Sequence, residues 1–298
     1  MLGAATVGDR ARRAGGDDVA AATRDARWAP RWQGWADWPL TPLTLAAAAV
    51  AVALDVASAW TGVGLGSVGG IAVSPGLPFA LLAAATIGAA RLGGARAART
   101  AWREFALGGG AVLAVAVLAD AGRLGRPAQS VGLVLDAAGE ELVFRLAAVV
   151  VLGAVAARVL GRPWRTPRQW GAAPGFLALG GAAVVFSALP GHVEQMTGVT
   201  TILPFASVAL LFGYVVLRTG ALWPTVLVHA LLNITTVAAW EGAASPTARA
   251  VIAVVALVAL VTAAHVAGRR LGLQQRVPDV IDLRAVTRPE PVGERRLR

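Results

Sequence analysis

The chain has 298 residues, 56% of them hydrophobic and only 15% charged, with a mean hydropathy of +0.64. Soluble domains carry about 25% charged residues, so this composition excludes an ordinary soluble protein and points to a polytopic membrane protein. Cysteine is absent, which excludes disulfides and thiolate metal sites. The net charge of +10 comes from arginines scattered over loops and tails, a topological pattern rather than a nucleic-acid-binding patch.

Residues 1–38 read as a cytoplasmic Arg/Trp-rich tail, with no cleavable signal peptide ahead of the first apolar run. Trp28, Trp32, Trp35 and Trp38 have near-helical spacing, so residues 27–38 are expected to form a helix lying on the membrane surface. Eight apolar segments follow, at 39–60, 71–90, 104–119, 131–157, 171–189, 199–217, 222–240 and 250–267. A spanning helix needs about 20 residues, which makes the third segment short. The fourth leaves room for a non-helical approach before Glu140. The fold class is therefore an all-α, polytopic transmembrane bundle of about eight spans, occupying residues 39–267. Residues 268–298 read as a basic cytoplasmic tail.

Eight crossings with an internal N-terminus put 23 of the 27 arginines on the cytoplasmic side, as the positive-inside rule requires. The chain is then a multi-pass protein of the cell membrane with both termini cytoplasmic. All ten tryptophans fall at segment edges or in short loops, where interfacial rings belong. This topology turns Glu140 toward the outer side, and the loop holding His192 agrees. A cytoplasmic substrate would require one miscounted span, the short third being the first suspect.

The polar residues at depth carry the functional signal. Glu140, Glu141 and Arg145 stand within six positions of the fourth segment, where each charge costs roughly 2.5–3.5 kcal/mol on insertion scales. Glu141 and Arg145 are spaced i, i+4 with the acid first, the favourable order for an ion pair. Glu140, about a quarter-turn away, is left for another task. His229 precedes Asn233 by one turn in the seventh segment, His192 follows the fifth, and His265 ends the last. His229 with Asn233 reads either as interhelical glue or as part of a site, and His192 either as a loop histidine or as a site residue. His265 reads as interfacial. Asp55 and Asp136 are further intramembrane acids, and Asp136 lies one turn before Glu140.

The order Glu140-Glu141-x-x-x-Arg145, a histidine after the next helix, then His229-x-x-x-Asn233 resembles the CAAX-prenyl-endopeptidase and bacteriocin-processing (CPBP) family. The text GALWPTVLVHALLN, residues 220–233, is similar to that family's last motif, and the resemblance covers about residues 130–240. One departure stands out. The family's middle motif is F-x-x-x-H, whereas Ala188 lies four before His192 and Phe186 six before, with Pro190 and Gly191 between. Either the aromatic is lost or two residues are inserted and the imidazole displaced.

The resemblance implies an intramembrane glutamic-type endopeptidase acting on a membrane protein or lipidated peptide, without a cofactor. In that reading Glu140 activates water, His192 orients it, His229 and Asn233 stabilise the oxyanion, and Glu141 with Arg145 forms a structural ion pair. Zinc held by Glu140, His192 and His229 is the rival chemistry. Two other classes stay open: a non-catalytic scaffold or immunity protein of the same fold, and a transporter using Glu140, Arg145 and Asp136 as a relay.

Overall fold

The computed structural model describes residues 35–93, 99–124, 127–196 and 198–270. The expected N- and C-terminal tails, with Trp28 and Trp32, lie outside the described residues, apart from a short stretch beginning at Trp35 and the end of the last helix.

Helix α1, Pro42–Thr61, starts where its sequence allows. Thr41 and Thr44 cap reciprocally: the Thr44 N–H donates to the Thr41 hydroxyl at 3.0 Å and the Thr41 N–H to the Thr44 hydroxyl at 3.2 Å. Pro42 occupies the first turn, where its missing N–H costs nothing. Gly62, in the left-handed region at φ 72°, ends the helix. The chain then forms a two-residue-per-strand hairpin, β1 (Ser67–Val68) with β2 (Ile71–Ala72). Its turn residues Gly69 and Gly70 both have positive φ, 60° and 85°, which a tight hairpin of this twist demands. The hairpin lies directly on the helix that carries Glu140, because a Cβ on Gly132 would meet the Val68 carbonyl and the Ile71 side chain.

The second apolar segment therefore opens as hairpin, and helix α2 spans only Leu77–Ile87, followed by the single turn α3 (Ala89–Leu92). The third segment is the reverse case. Helix α4, Arg99–Leu124, is 26 residues long, and Arg103 and Glu104 in its first turns confine the apolar part. Helix α5 (Pro127–Glu140) continues without a gap through a π-helical stretch, Glu141–Ala148, into α6 (Val149–Val159). The irregularity expected before Glu140 thus lies after it. A 3₁₀ turn (Pro167–Gln169) leads to α7 (Ala172–Ser187), the single turn α8 (Pro190–Val193), α9 (Val199–Thr219), α10 (Trp223–Trp240) and α11 (Pro246–Arg270).

The fold is an all-α polytopic bundle. Each of the eight apolar segments holds a helix, but only five helices among the described residues are long and apolar enough to cross a membrane. Apolar α2 and α7 are shorter, at 11 and 16 residues. Eleven residues rise about 17 Å, roughly half of a bilayer core.

The π stretch is the centre of the bundle. It touches α1, α2, α7 and α9 as well as the two helices it joins. Val143, Phe144, Leu146 and Ala147 in it are fully buried. A second apolar cluster joins α4, α9, α10 and α11 through Trp102, Phe212, Val228 and Leu260.

The tryptophans correct the interfacial reading. Trp35, Trp38, Trp102 and Trp170 are buried, whereas Trp60 and Trp240 are exposed. Residues 35–40 are not helical. They are pinned across the bundle: the Ala36 N–H donates to the Leu217 carbonyl at 2.7 Å, the Leu40 N–H to Arg165 at 2.8 Å, and Trp35 Nε1 to Gly171 at 2.7 Å. Trp35 and Trp38 are thus packed in the protein instead of in lipid.

Candidate active site

Glu140 closes α5 and Glu141 opens the π stretch, so the change of winding falls between the two acids. In a π turn hydrogen bonds run from i to i+5. The Glu141–Arg145 pair lies within this stretch. It is present, but at 3.7 Å between Nε and Oε1 it is an ion pair without a hydrogen bond. Glu141 Oε1 instead accepts from His229 Nδ1 at 3.0 Å. Arg145 is sealed in the core with its guanidinium 4.2 Å from the centre of the Phe186 ring. Its Nε and Nη1 make no hydrogen bond with a described residue.

The two acids differ in access. Glu141 is 0% exposed, while the Glu140 side chain retains 20%. Both histidines turn toward Glu140: His192 Nε2 lies 3.6 Å from Oε1 and His229 Nε2 lies 3.3 Å from Oε2. The other nitrogen of each ring is tethered. His192 Nδ1 donates to the Phe186 carbonyl at 2.7 Å, and His229 Nδ1 to the Glu141 carboxylate. A carbonyl oxygen only accepts, so Nδ1 of His192 carries a hydrogen. Nε2 is then the atom that gains or loses a proton, and in each ring it faces Glu140. The result is a carboxylate between two imidazoles, each aimed by a bond on its far side.

His192 reaches this position by a detour. Leu189 precedes Pro190 and adopts an extended conformation, as residues before proline do. That breaks the chain after α7 and starts the single turn α8, which swings His192 back under α7. Its ring centre then lies 4.1 Å from that of Phe186 and 5.0 Å from that of Phe205. The aromatic partner is not lost: Phe186 meets His192 across a longer stretch of chain. Phe186 also touches Phe144 and stacks on Phe205, and Phe212 flanks His229 at 5.8 Å. The sequence reading missed these aromatic walls and the bond from His229 to Glu141. Pro190 was the available signal for the first, since a proline two before a histidine marks a helix break.

Asn233 follows His229 by one turn on α10 and is half-buried, with no side-chain hydrogen bond among the described residues. Asp136 stands one turn before Glu140, within electrostatic reach of Glu140, His192 and His229. Asp55 on α1 lies within electrostatic reach of Ser74, Glu140 and His192. His265 is exposed on α11. Among the described residues no group of three or more His, Asp or Glu side chains is arranged to hold a metal ion.

Residues 127–235 match the family model described as Type II CAAX prenyl endopeptidase Rce1-like. Comparison with curated proteins and with solved structures found no match. The matched stretch begins at the first residue of α5 and includes Glu140, Glu141, Arg145, His192, His229 and Asn233.

Proposed function

We propose that the chain is an intramembrane endopeptidase of the CAAX protease (CPBP) family, on the match over residues 127–235, and that Glu140 is its general base in a glutamic mechanism. The observation that carries this reading is the Glu140 carboxylate facing two tethered imidazoles at 3.3 and 3.6 Å. Glu140 takes a proton from water as the water oxygen bonds to the scissile carbonyl carbon. The carbonyl electrons move onto oxygen. The proton then passes to the leaving nitrogen as the C–N bond breaks, releasing a carboxylic acid and an amine. His192 Nε2 holds the water against Glu140 and can carry the proton between them. His229 Nε2 and the Asn233 amide, one turn apart, are the donors for the oxyanion.

In this reading Glu141 aims His229 through its 3.0 Å bond to Nδ1, with Arg145 beside the Glu141 carboxylate at 3.7 Å. The substrate is a membrane protein or lipidated peptide, the class for which the matching family is named, and the lipid bilayer is its setting. Both termini are proposed to be cytoplasmic on the arginine distribution, with the protease core at about residues 130–240 between two tails.

The test is cleavage of prenylated and unprenylated membrane peptides by purified protein. Glu140→Gln should reduce turnover by about 10²–10⁴-fold while leaving the thermal midpoint and substrate binding in place. A chelator should not affect the wild type. Inhibition by chelation, restored by zinc and abolished in His192→Ala, would establish the zinc chemistry instead. Asn233→Ala should slow the reaction about 10²–10³-fold at unchanged substrate affinity. Full activity in that variant would leave Asn233 as helix glue.

A further inference from the structure

A groove of about 510 Å³ runs between the first turns of α1 and the second half of α6. Leu45 and Ala49 form one wall, Val151 and Val155 the other, and Arg158 with Trp164 stands at the end. Its lining is apolar along the length and cationic at one point. Arg158 lies 18 residues beyond Glu140 on a nearly continuous helix, so on the order of 25 Å separates them at 1.5 Å per residue. This is not the catalytic cavity.

The charge around the groove end is one-sided. Between Glu141 and Glu194 the chain has no acidic residue, while Arg158, Arg162, Arg165 and Arg168 follow one another at the end of α6 and in the loop after it. Asp37 pairs with Arg168 at 3.8 Å, and the Arg165 guanidinium lies 5.8 Å from the centre of the Trp164 ring. Among the described residues no carboxylate pairs with Arg158. Tryptophan and arginine together mark the level where headgroups begin, and the apolar walls sit on spanning helices.

An amphiphile with a hydrocarbon chain and an anionic head matches both ends of the groove. We propose that the α1–α6 groove is a binding site for an anionic phospholipid, one acyl chain between the two helices and the phosphate on Arg158. The apolar walls hold any lipid chain of suitable size, and Arg158 supplies the choice of headgroup. The proposal is independent of the glutamic mechanism.

Native mass spectrometry of the purified full-length protein, with phosphatidylglycerol and phosphatidylcholine of identical acyl chains, tests it. One phosphatidylglycerol should be retained per chain, preferred about fivefold over phosphatidylcholine, the effect of one arginine near a membrane surface. Arg158→Gln should remove the preference yet keep weak retention of both lipids. Ala49→Phe, at an exposed position that faces the groove, should lower retention of both. Thermal midpoints in lipid-free detergent confirm that each variant is folded, and peptide cleavage should continue in both. The proposal is overturned if Arg158→Gln keeps the wild-type preference, if Arg162→Gln with Arg165→Gln alone removes it, or if Ala49→Phe retains both lipids normally.

Discussion

Among the described residues the α5–π–α6 span and α11 are the two most hydrophobic spans, with mean hydropathies of 2.2 and 2.6 over their most apolar 18 residues. Their surroundings are opposite: 61% of that stretch of the first is buried inside the protein against 17% of the second. The first carries Glu140, Glu141 and Arg145 at its middle, whereas the apolar stretch of α11 presents Val251, Val254, Val255 and Val258 outward. Hydropathy thus finds a span without telling whether lipid or protein surrounds it. A charge in the middle of the span does tell, because an ionised group survives there only with partners. Glu141 has two, His229 and Arg145, and neither is available to a helix facing lipid.

The comparison breaks most sharply at the buried pair. Arg145→Met leaves Glu141 without its balancing charge in a dry interior, which should cost about 3–5 kcal/mol. The thermal midpoint in detergent should fall accordingly, and activity with it. Adding Glu141→Gln to Arg145→Met should recover much of the midpoint, since a buried pair replaced as a pair is nearly neutral. Activity should stay low in the double variant, because the amide introduced by Glu141→Gln is a weaker, uncharged acceptor for His229. A double variant as unstable as the single one would show that Arg145 acts through Phe186 and not through Glu141.

How much of this was legible beforehand follows from the range of each interaction. The apolar segments and the charges within them were readable because both are local signals, whereas the pairing of Glu140 with His229 was implied only by the family resemblance. In the structure the two lie 3.3 Å apart. The π winding was not readable, since it depends on how six neighbouring helices pack around Glu141–Ala148. Within it Glu141 bonds His229 at 3.0 Å while Arg145 stays at 3.7 Å, so the acid expected only to brace the helix also aims an imidazole. The buried Trp35 and Trp38 failed for a related reason. Their spacing suits a membrane surface or a protein groove equally, and only the backbone bonds to Leu217 and Arg165 decide between them.

Phe186 offers a finer test of the buried side. Its carbonyl holds His192 and its ring lies between Arg145 and His192, so it is a positioning residue. Phe186→Leu keeps the carbonyl and removes the ring. The lost cation–π contact should lower stability by about 1–2 kcal/mol. His192, freed on one face, should show a shifted and broadened imidazole resonance, and kcat should fall with KM unchanged. Phe186→Tyr should restore both. An unperturbed His192 signal in Phe186→Leu would mean that the Phe186 carbonyl and Phe205 suffice to place it.

The smallest effect sharpens the other side. Val258 on α11 is 60% exposed in the protein, and Val149 at the start of α6 is fully buried. Truncating Val149 to alanine should leave a void among close-packed neighbours and cost about 1–3 kcal/mol. The same truncation at Val258 removes contacts that lipid or detergent replaces, and should change stability by less than about 0.5 kcal/mol. Thermal midpoints of the two variants in one detergent measure the difference directly. Equal losses would mean that the outward face of α11 is covered by protein in the purified state, and a second copy of the chain would be the first partner to seek by cross-linking at Val254 and Val258. A null result at Val258 beside a clear loss at Val149 would show that two helices of similar hydropathy answer to different solvents.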